Sequence, residues 1–130
     1  MLENGIKQHG TKIPIYTTPG DFSAIMMYPY LYNIQGEWIG WVQKDKSVYN
    51  VEGAYVGWIT DGPRIVRQRV NGSNGHHATI PPIPEKIQSI ANAPLPPMMS
   101  ELPYNLIDVL EDAPELLHTI DTGMKKKDMD

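Results

Sequence analysis

The side chains with the clearest potential for chemistry are two adjacent histidines, His76 and His77. Histidine is the commonest metal ligand and titrates near neutral pH. Adjacent side chains of an extended backbone point in opposite directions, and no neighbouring cysteine or acidic residue completes a ligand set. Gly72 and Gly75 flank the pair, which favours a solvated loop. A small metal-dependent enzyme at these histidines is therefore only our third hypothesis.

A second candidate is the group of arginines Arg64, Arg67 and Arg69. Sheet surfaces that combine arginine with stacking aromatic side chains bind single-stranded nucleic acid. In a regular strand Arg67 and Arg69 share one face, whereas Arg64 lies on the other. A solvated strand face, whose charges discourage edge-to-edge aggregation, is the alternative interpretation. A nucleic-acid-binding module that uses Arg67, Arg69 and surface aromatics is our second hypothesis, and the net charge of −4 argues against it.

The tryptophans and tyrosines are candidates for a protein-interaction surface, because aromatic residues dominate interface hot spots. In a small domain the same residues must also supply the core. We expect Trp41 and Trp58 to be structural, and Trp38 with Tyr55 to be exposed for interaction. The sequence contains no Gly-x-Ser-x-Gly, no phosphate-binding Gly-x-x-x-x-Gly-Lys and no His-Glu-x-x-His. We therefore predict a non-enzymatic protein without a cofactor.

The elements that position these residues are contained in a sequence repeat. Residues 31–42 are repeated as residues 48–59, and self-similarity at a short period indicates a repeated supersecondary unit. Each copy is typical of a β-hairpin, since glycine supplies the positive φ of a tight turn and the flanking residues favour strands. A weaker copy contains Tyr16, Gly20 and Ala24. The matching residues of the two strong copies are Tyr32, Gly36, Gly40 and Trp41, and Tyr49, Gly53, Gly57 and Trp58.

This motif, Tyr-x-x-x-Gly-x-x-(Val/Ile)-Gly-Trp followed by a proline-rich tail, resembles the bacterial four-fold β-flower domain family. The resemblance covers roughly the first 70 residues. It implies short hairpins arranged with pseudo-four-fold symmetry about a central axis. It implies no activity, because the family has none that is established.

The composition changes after the loop Asn71–Gly75. Residues 80–84 and 93–97 are rich in proline and are expected to be extended and polyproline-like. We call residues 76–100 the arm; within it, residues 85–91 are long enough for two helical turns. Leu102, Leu106, Ile107 and Leu110 follow with helical spacing. Asn105 is the expected N-cap of this amphipathic helix, whose apolar stripe must dock on another surface.

Length and composition set limits on the class of protein. The chain has 130 residues, which suits one domain with an extension. A meander of ~60 residues buries only about 60% of its unfolded surface, so the tail or a second chain should cover it. There is no cysteine and no apolar run long enough to span a membrane. Residues 1–4 do not begin a signal peptide, and we expect a cytoplasmic protein.

We predict a mainly β fold, a small antiparallel meander of repeated hairpins followed by a proline-rich extension and short C-terminal helices. The expected segments are a lead-in at 1–12, the hairpin domain at 13–70, the loop and arm at 71–100, an amphipathic helical segment at 101–121 and a disordered charged tail at 122–130. The predicted function is a protein-interaction or assembly module that self-associates through its aromatic sheet surface and C-terminal arm. A homo-oligomer or a protein partner is expected, and no membrane. The predicted interaction residues are Trp38, Tyr55, Arg67, Arg69, Leu106 and Leu110.

Overall fold

The computed structural model describes residues 10–72 and 75–120. They form one eight-stranded antiparallel sheet in which the strands are ordered as in the sequence. A one-turn helix and a 3₁₀ turn at Pro114–Leu116 follow the last strand. The elements are β1 (Ile13–Tyr16), β2 (Phe22–Met27), β3 (Tyr30–Tyr32), β4 (Trp38–Val42), β5 (Ser47–Asn50), β6 (Tyr55–Ile59), β7 (Ile65–Gln68), β8 (Leu106–Asp108) and α1 (Val109–Asp112). The charged tail predicted at 122–130 and most of the lead-in lie outside the described residues.

The two strong sequence repeats form hairpins β3–β4 and β5–β6, and their recurrent asparagines hold the turns. Asn33 Oδ1 accepts hydrogen bonds from the backbone N–H groups of Gln35 at 3.0 Å and Glu37 at 2.9 Å. Asn50 Oδ1 accepts from the corresponding groups two and four residues later, at 2.9 and 3.1 Å. The side-chain oxygen therefore satisfies turn donors that the strand ladder leaves free. Gly36 and Gly53 complete these turns with φ values of +89° and +87°.

The glycines inside the strands are required for a different reason: the backbone of the neighbouring strand lies too close to leave room for a side chain. A Cβ on Gly40 would collide with the Tyr49 carbonyl, and one on Gly57 with the Val66 carbonyl. The first three hairpins each carry a register shift at the same place, next to Tyr16, Tyr32 and Tyr49. Such bulges bend a strand and increase its twist. A bent sheet brings backbones together in a way that only glycine tolerates at these two positions.

The fourth hairpin is built from strands that lie on either side of the arm. β7 pairs antiparallel with β8, with Val66 opposite Asp108 and Arg67 opposite Ile107. The prediction of a helix capped by Asn105 is therefore wrong for residues 106–108. Pairing with β7 satisfies backbone groups that would otherwise form an open sheet edge, and this outweighs the helical spacing of the apolar residues. The helix starts three residues later, and its N-cap is Asp108, whose carboxylate accepts from Glu111 N at 3.3 Å.

The interior between the hairpins is a single aliphatic cluster. Its centre contains one residue from the first strand of each hairpin, and all four have an exposed fraction of 0%. Residues of the returning strands, of α1 and of the following segment complete it. The mainly β fold of repeated antiparallel hairpins is thus confirmed. The four central residues are Ile15, Leu31, Val48 and Ile65.

Candidate functional site

The opposite face of the sheet carries most of the aromatic residues, and it is buried as well. Trp41 stacks on Tyr49 across the sheet, with ring centroids 5.4 Å apart and planes 17° apart. Trp38 packs edge-on against Tyr30 at 6.4 Å. Such pairs add stabilisation beyond the area they bury. We call this surface the aromatic face; its buried members are Ile25, Tyr32, Trp38, Trp41, Tyr49 and Val51.

The prediction that Trp38 is exposed for interaction is wrong. Its exposed fraction is 6%, and its indole N–H donates to the Gly40 carbonyl at 2.7 Å. Tyr55 is half-buried beside Tyr49, with ring centroids 5.8 Å apart. Trp41 is buried and Trp58 is half-buried. The physical reason is that Ala78, Ile87 and Ile90 of the arm pack on the aromatic face and remove it from solvent.

The arm contacts the sheet at every third residue. From Ala78 to Leu102 every third position is half-buried, and the residues between them are exposed. Three residues per turn is the period of a polyproline II helix. Residues 85–91, which are long enough for two helical turns, form no helix. The half-buried positions are Ala78, Pro81, Pro84, Ile87, Ile90, Ala93, Pro96, Met99 and Leu102.

The arm meets one hairpin turn at every ninth residue. Ala78 N donates to the Gly53 carbonyl at 2.9 Å, and Ile87 N donates to the Gly36 carbonyl at 2.9 Å. Pro96 lies against the third such glycine, Gly20. Nine residues of polyproline II helix make three turns and span roughly 28 Å at ~3.1 Å per residue. One hairpin therefore corresponds to three turns of the arm, which passes the third, second and first hairpins in that order.

Tyrosine hydroxyls add polar contacts between the sheet and the arm. Tyr30 Oη donates to the Pro82 carbonyl at 2.7 Å, and Tyr16 Oη donates to the Pro94 carbonyl. Lys12 Nζ donates to the Gln88 carbonyl at 2.9 Å. Proline carbonyls are good acceptors in this role, because an extended proline-rich segment makes no internal hydrogen bonds. Aromatic rings with donors at their edges are the means by which proteins recognise polyproline segments.

Burial also changes the ionisation of the tyrosines on this face. Desolvation raises the pKa of Tyr32, and the neighbouring phenol of Tyr30 adds to the shift. Desolvation is likewise the main cause of the raised pKa of Tyr49, followed by the charge of Asp45. It also raises the pKa of Tyr55, where the charge of Arg67 acts in the opposite direction. The phenols of Tyr32, Tyr49 and Tyr55 therefore stay protonated at higher pH than an exposed tyrosine does.

The outward side of the arm is apolar and open to solvent. The described residues include eight large hydrophobic side chains that are exposed, and four of them, Ile80, Ile83, Leu95 and Met98, belong to the arm. The exposed fractions of Leu95 and Met98 are 92% and 101%. The arm carries only two charged residues besides its histidines, Glu85 and Lys86. This concentration of apolar surface on one extended segment is typical of a contact region for another protein.

The arginines predicted to form a nucleic-acid surface have separate partners. The Arg67 guanidinium lies close to the backbone of Gly72, so that a Cβ there would meet its Nε at 2.5 Å. Arg69 lies over the Tyr104 ring at 4.5 Å and donates from Nε to the Tyr104 carbonyl at 2.7 Å. Arg64 is buried and donates from Nη1 to Thr18 Oγ1 and to the Ser100 carbonyl, both at 3.0 Å. Each of the three arginines thus has its own contact within the chain.

Leu106 and Leu110, the other predicted interaction residues, are both half-buried. Leu110 packs against the aliphatic cluster. Leu106 and Arg69 line a cavity of about 480 Å³ between the first hairpin turn, β8 and the end of the arm. The same cavity is bordered by Asp108 and Glu111. Desolvation, and then the charges of Asp112, Asp108 and Asp21, raise the pKa of Glu111.

Asp108 is a buried carboxylate that sequence reasoning did not select. Its exposed fraction is 2%, and Oδ2 accepts from Thr18 N at 2.6 Å and from Thr18 Oγ1 at 2.7 Å. These bonds join the fourth hairpin to the turn of the first, while Arg64 joins the same threonine to the arm. Buried charges require such partners. No signal in the sequence separates Asp108 from the other acidic residues nearby, because its role depends on contacts 90 residues away.

The histidines of the third hypothesis lie at the start of the arm, and both are exposed. The His76 carbonyl accepts from Tyr55 N at 3.0 Å, and the His76 ring lies 5.7 Å from that of Tyr49. His77 forms an isolated bridge with Ala54. Across residues 10–72 and 75–120, no three His, Cys, Asp or Glu side chains are grouped to hold a metal ion. His76 and His77 are therefore the first residues of the arm that contact the third hairpin.

Comparison with known proteins identifies an architecture. The family described as "4-fold beta flower protein" matches residues 13–111, which include all eight strands and the arm. No curated protein and no solved structure matches the chain. In the part of the chain that the structure describes, no helix has the length and apolar character to cross a membrane.

Proposed function

We propose that this chain, which belongs to the family of 4-fold beta flower proteins, is a non-enzymatic assembly module that pairs with a second copy of itself. The outward side of the arm is the contact surface. The observation that carries this proposal is the full exposure of Leu95 and Met98 on an otherwise anchored segment. An anchored arm loses little conformational entropy on binding, which favours association.

The nature of the arm supports a second copy as the partner. In a two-fold symmetric dimer the same patch of each chain faces the other, so the patch must be complementary to itself. A segment of 25 residues with one acidic and one basic residue can face an identical segment without like-charge repulsion. The originally predicted aromatic contact is not part of the proposal, because the arm already covers that face.

Molecular mass in solution, measured by light scattering from micromolar to millimolar concentration, tests this function. We expect the wild-type chain to pass from one copy to two, and the double variant Leu95→Asp, Met98→Asp to remain a single copy. A matched control, Thr11→Asp with Gln35→Asp, places the same charge on exposed positions outside the arm and should still pair. A wild-type chain that stays monomeric over the whole range would reject self-association.

A further inference from the structure

The contact between arm and sheet has the form of a ligand in a binding groove. The groove consists of the aromatic face and the three glycine turns at Gly20, Gly36 and Gly53. It offers carbonyl acceptors at two turns and tyrosine donors at two further points, all directed at backbone groups of the arm. Contacts to backbone and to every third side chain specify a conformation and a spacing more than a particular sequence.

We propose that this groove is a binding site for a polyproline II segment, and that it accepts the arm of another copy in place of its own. The occupant must present small or aliphatic side chains at every third position, as Ala78, Pro81 and Pro84 do. The proposal adds a second contact between copies, through the inward side of the arm, to the outward contact proposed above, and in that respect rests on the proposed self-association. The binding site itself requires no particular oligomeric state.

Exchange of the arm is compatible with its shallow burial. Two of every three arm residues are exposed, whereas the central strand residues such as Val48 are fully buried. Segments with few buried contacts open at a lower free energy than the core. Because both ends of the arm are tethered to strands, its effective concentration at the groove is high, and an added segment binds only to the fraction of molecules in which the arm is open.

The probe for the groove is a labelled peptide with the sequence of residues 76–102, titrated into the full chain and followed by fluorescence anisotropy. In the variant Ile87→Asp, Ile90→Asp the protein's own arm loses two of its three apolar contacts with the aromatic face, while the groove keeps its residues. We expect the peptide to bind this variant at least about 10-fold more tightly than the wild-type chain, because the tethered competitor is weakened.

Two control variants separate the groove from a general effect of charge on the arm. Ile83→Asp changes an outward residue with an exposed fraction of 64% and should leave peptide affinity at the wild-type value. Tyr30→Phe, added to the variant with the weakened arm, removes the donor to Pro82 and should reduce peptide affinity about 5-fold, the effect of ~1 kcal/mol. Equal binding by the Ile83 variant and the weakened-arm variant would overturn the proposal.

Hydrogen exchange of the wild-type chain decides the matter if the weakened-arm variant does not fold. The amides of Ala78 and Ile87, which bond to the turns, should exchange faster than those of Val48 and Ile25 in the sheet. Equal protection would mean that the groove opens only when the whole protein unfolds, which contradicts the proposal.

The two proposals fail separately. A monomer that binds the peptide rejects self-association alone, and a dimer that does not bind the peptide rejects the groove alone.

Discussion

At the scale of single residues, Asp108 is the side chain on which closure of the last hairpin onto the first depends. Its carboxylate serves two donors on Thr18 and caps α1 through Glu111 N. Asp108→Asn leaves one acceptor oxygen for these three donors, so at least one of the donors loses its partner. We expect the free energy of unfolding in urea to fall by about 1–3 kcal/mol.

Asp112→Asn is the matched control for that substitution. Asp112 lies at the end of α1 and is exposed. Surface substitutions away from special features usually change stability by less than about 0.5 kcal/mol. If both variants unfold at the same urea concentration, the buried hydrogen bonds of Asp108 contribute nothing to stability, and our description of the closure is incorrect.

The raised pKa values of Tyr32, Tyr49 and Tyr55 predict a loss of stability at alkaline pH. Above the ordinary tyrosine pKa of about 10, the unfolded chain releases phenolic protons that the folded chain retains. The folded state then binds more protons, so the free energy of unfolding decreases as pH rises. This contribution is fully present below pH ~10 and is lost as pH rises through the pKa values of the folded protein.

Urea unfolding at a series of pH values measures this decrease. Tyr49→Phe should make the decline shallower, because the substitution removes one group whose pKa differs between the two states. Tyr104→Phe is the control, since Tyr104 has an exposed fraction of 83%, and should leave the slope unchanged. A stability that is constant from pH 8 to 11 would mean that burial of these phenols does not bias their ionisation.

At the scale of the elements, the three turn glycines provide a graded test of how closely the arm lies on the hairpins. Gly20, Gly36 and Gly53 have φ values of +104°, +89° and +87°, so alanine costs each about 1–2 kcal/mol through the backbone alone. The distance from an added Cβ to the arm differs: 3.2 Å to Pro96 at Gly20 and 2.6 Å to the Ala78 oxygen at Gly53. At Gly36 the Ile87 oxygen is closer still.

We therefore expect the loss of stability to increase from Gly20→Ala through Gly53→Ala to Gly36→Ala, with overpacking adding about 1–3 kcal/mol at the closest site. Thermal or urea unfolding of the three variants gives the order directly. Gly75→Ala, at φ +71° with nothing within 4 Å of the added Cβ, reports the cost of the backbone conformation alone. Equal losses at all four glycines would show that the arm does not press on the turns.

The hairpins were predictable because their determinants are local. The asparagine that accepts turn hydrogen bonds and the glycine with positive φ lie within four residues of each other, so their repetition is visible in the sequence. The strand at Leu106–Asp108 was not predictable in the same way, because its partner, β7, lies beyond the arm. The pattern of apolar residues at 106, 107, 109 and 110 fits one continuous helix, and it fits equally well a short strand followed directly by a helix, which is the structure observed.

The burial of the aromatic face was not predictable either, and the cause lies in the arm. Its inward positions include prolines as well as isoleucines, while its outward positions include Ile83 and Leu95. Every inward position carries an apolar residue, so a period of three is present in the residue types. Apolar residues and prolines at the outward positions hide this period when the sequence is considered alone. The exposure expected for Trp38 was an inference from the hairpins alone, without the segment that covers them.

At the scale of the whole molecule, the fold is completed by residues 75–120, which we call the return segment. The arm passes the third, second and first hairpins, reaches Arg64 through the Ser100 carbonyl, and then supplies the second strand of the fourth hairpin. Val109 and Leu117, from the same return segment, complete the aliphatic cluster. Residues 75–120 therefore cover one face of the sheet and fill part of the other.

A chain that ends at Val70 should consequently lose cooperative unfolding, since the aromatic face becomes exposed and the fourth hairpin lacks β8. Addition of a separate peptide comprising residues 75–120 should restore a cooperative urea transition, monitored by the fluorescence of Trp38 and Trp41, which are buried in the intact fold. Restoration is expected because all contacts of the return segment are non-covalent and can form between two chains.

The same peptide with Ile87→Asp and Ile90→Asp should fail to restore the transition, whereas the peptide with Ile83→Asp should succeed, because only the first pair packs on the aromatic face. A shortened chain that unfolds cooperatively without any peptide, at the urea midpoint of the full chain, would contradict the role assigned to the return segment. If the peptide with Ile83→Asp restores the transition and the peptide with Ile87→Asp and Ile90→Asp does not, the inward contacts of the arm stabilise the sheet.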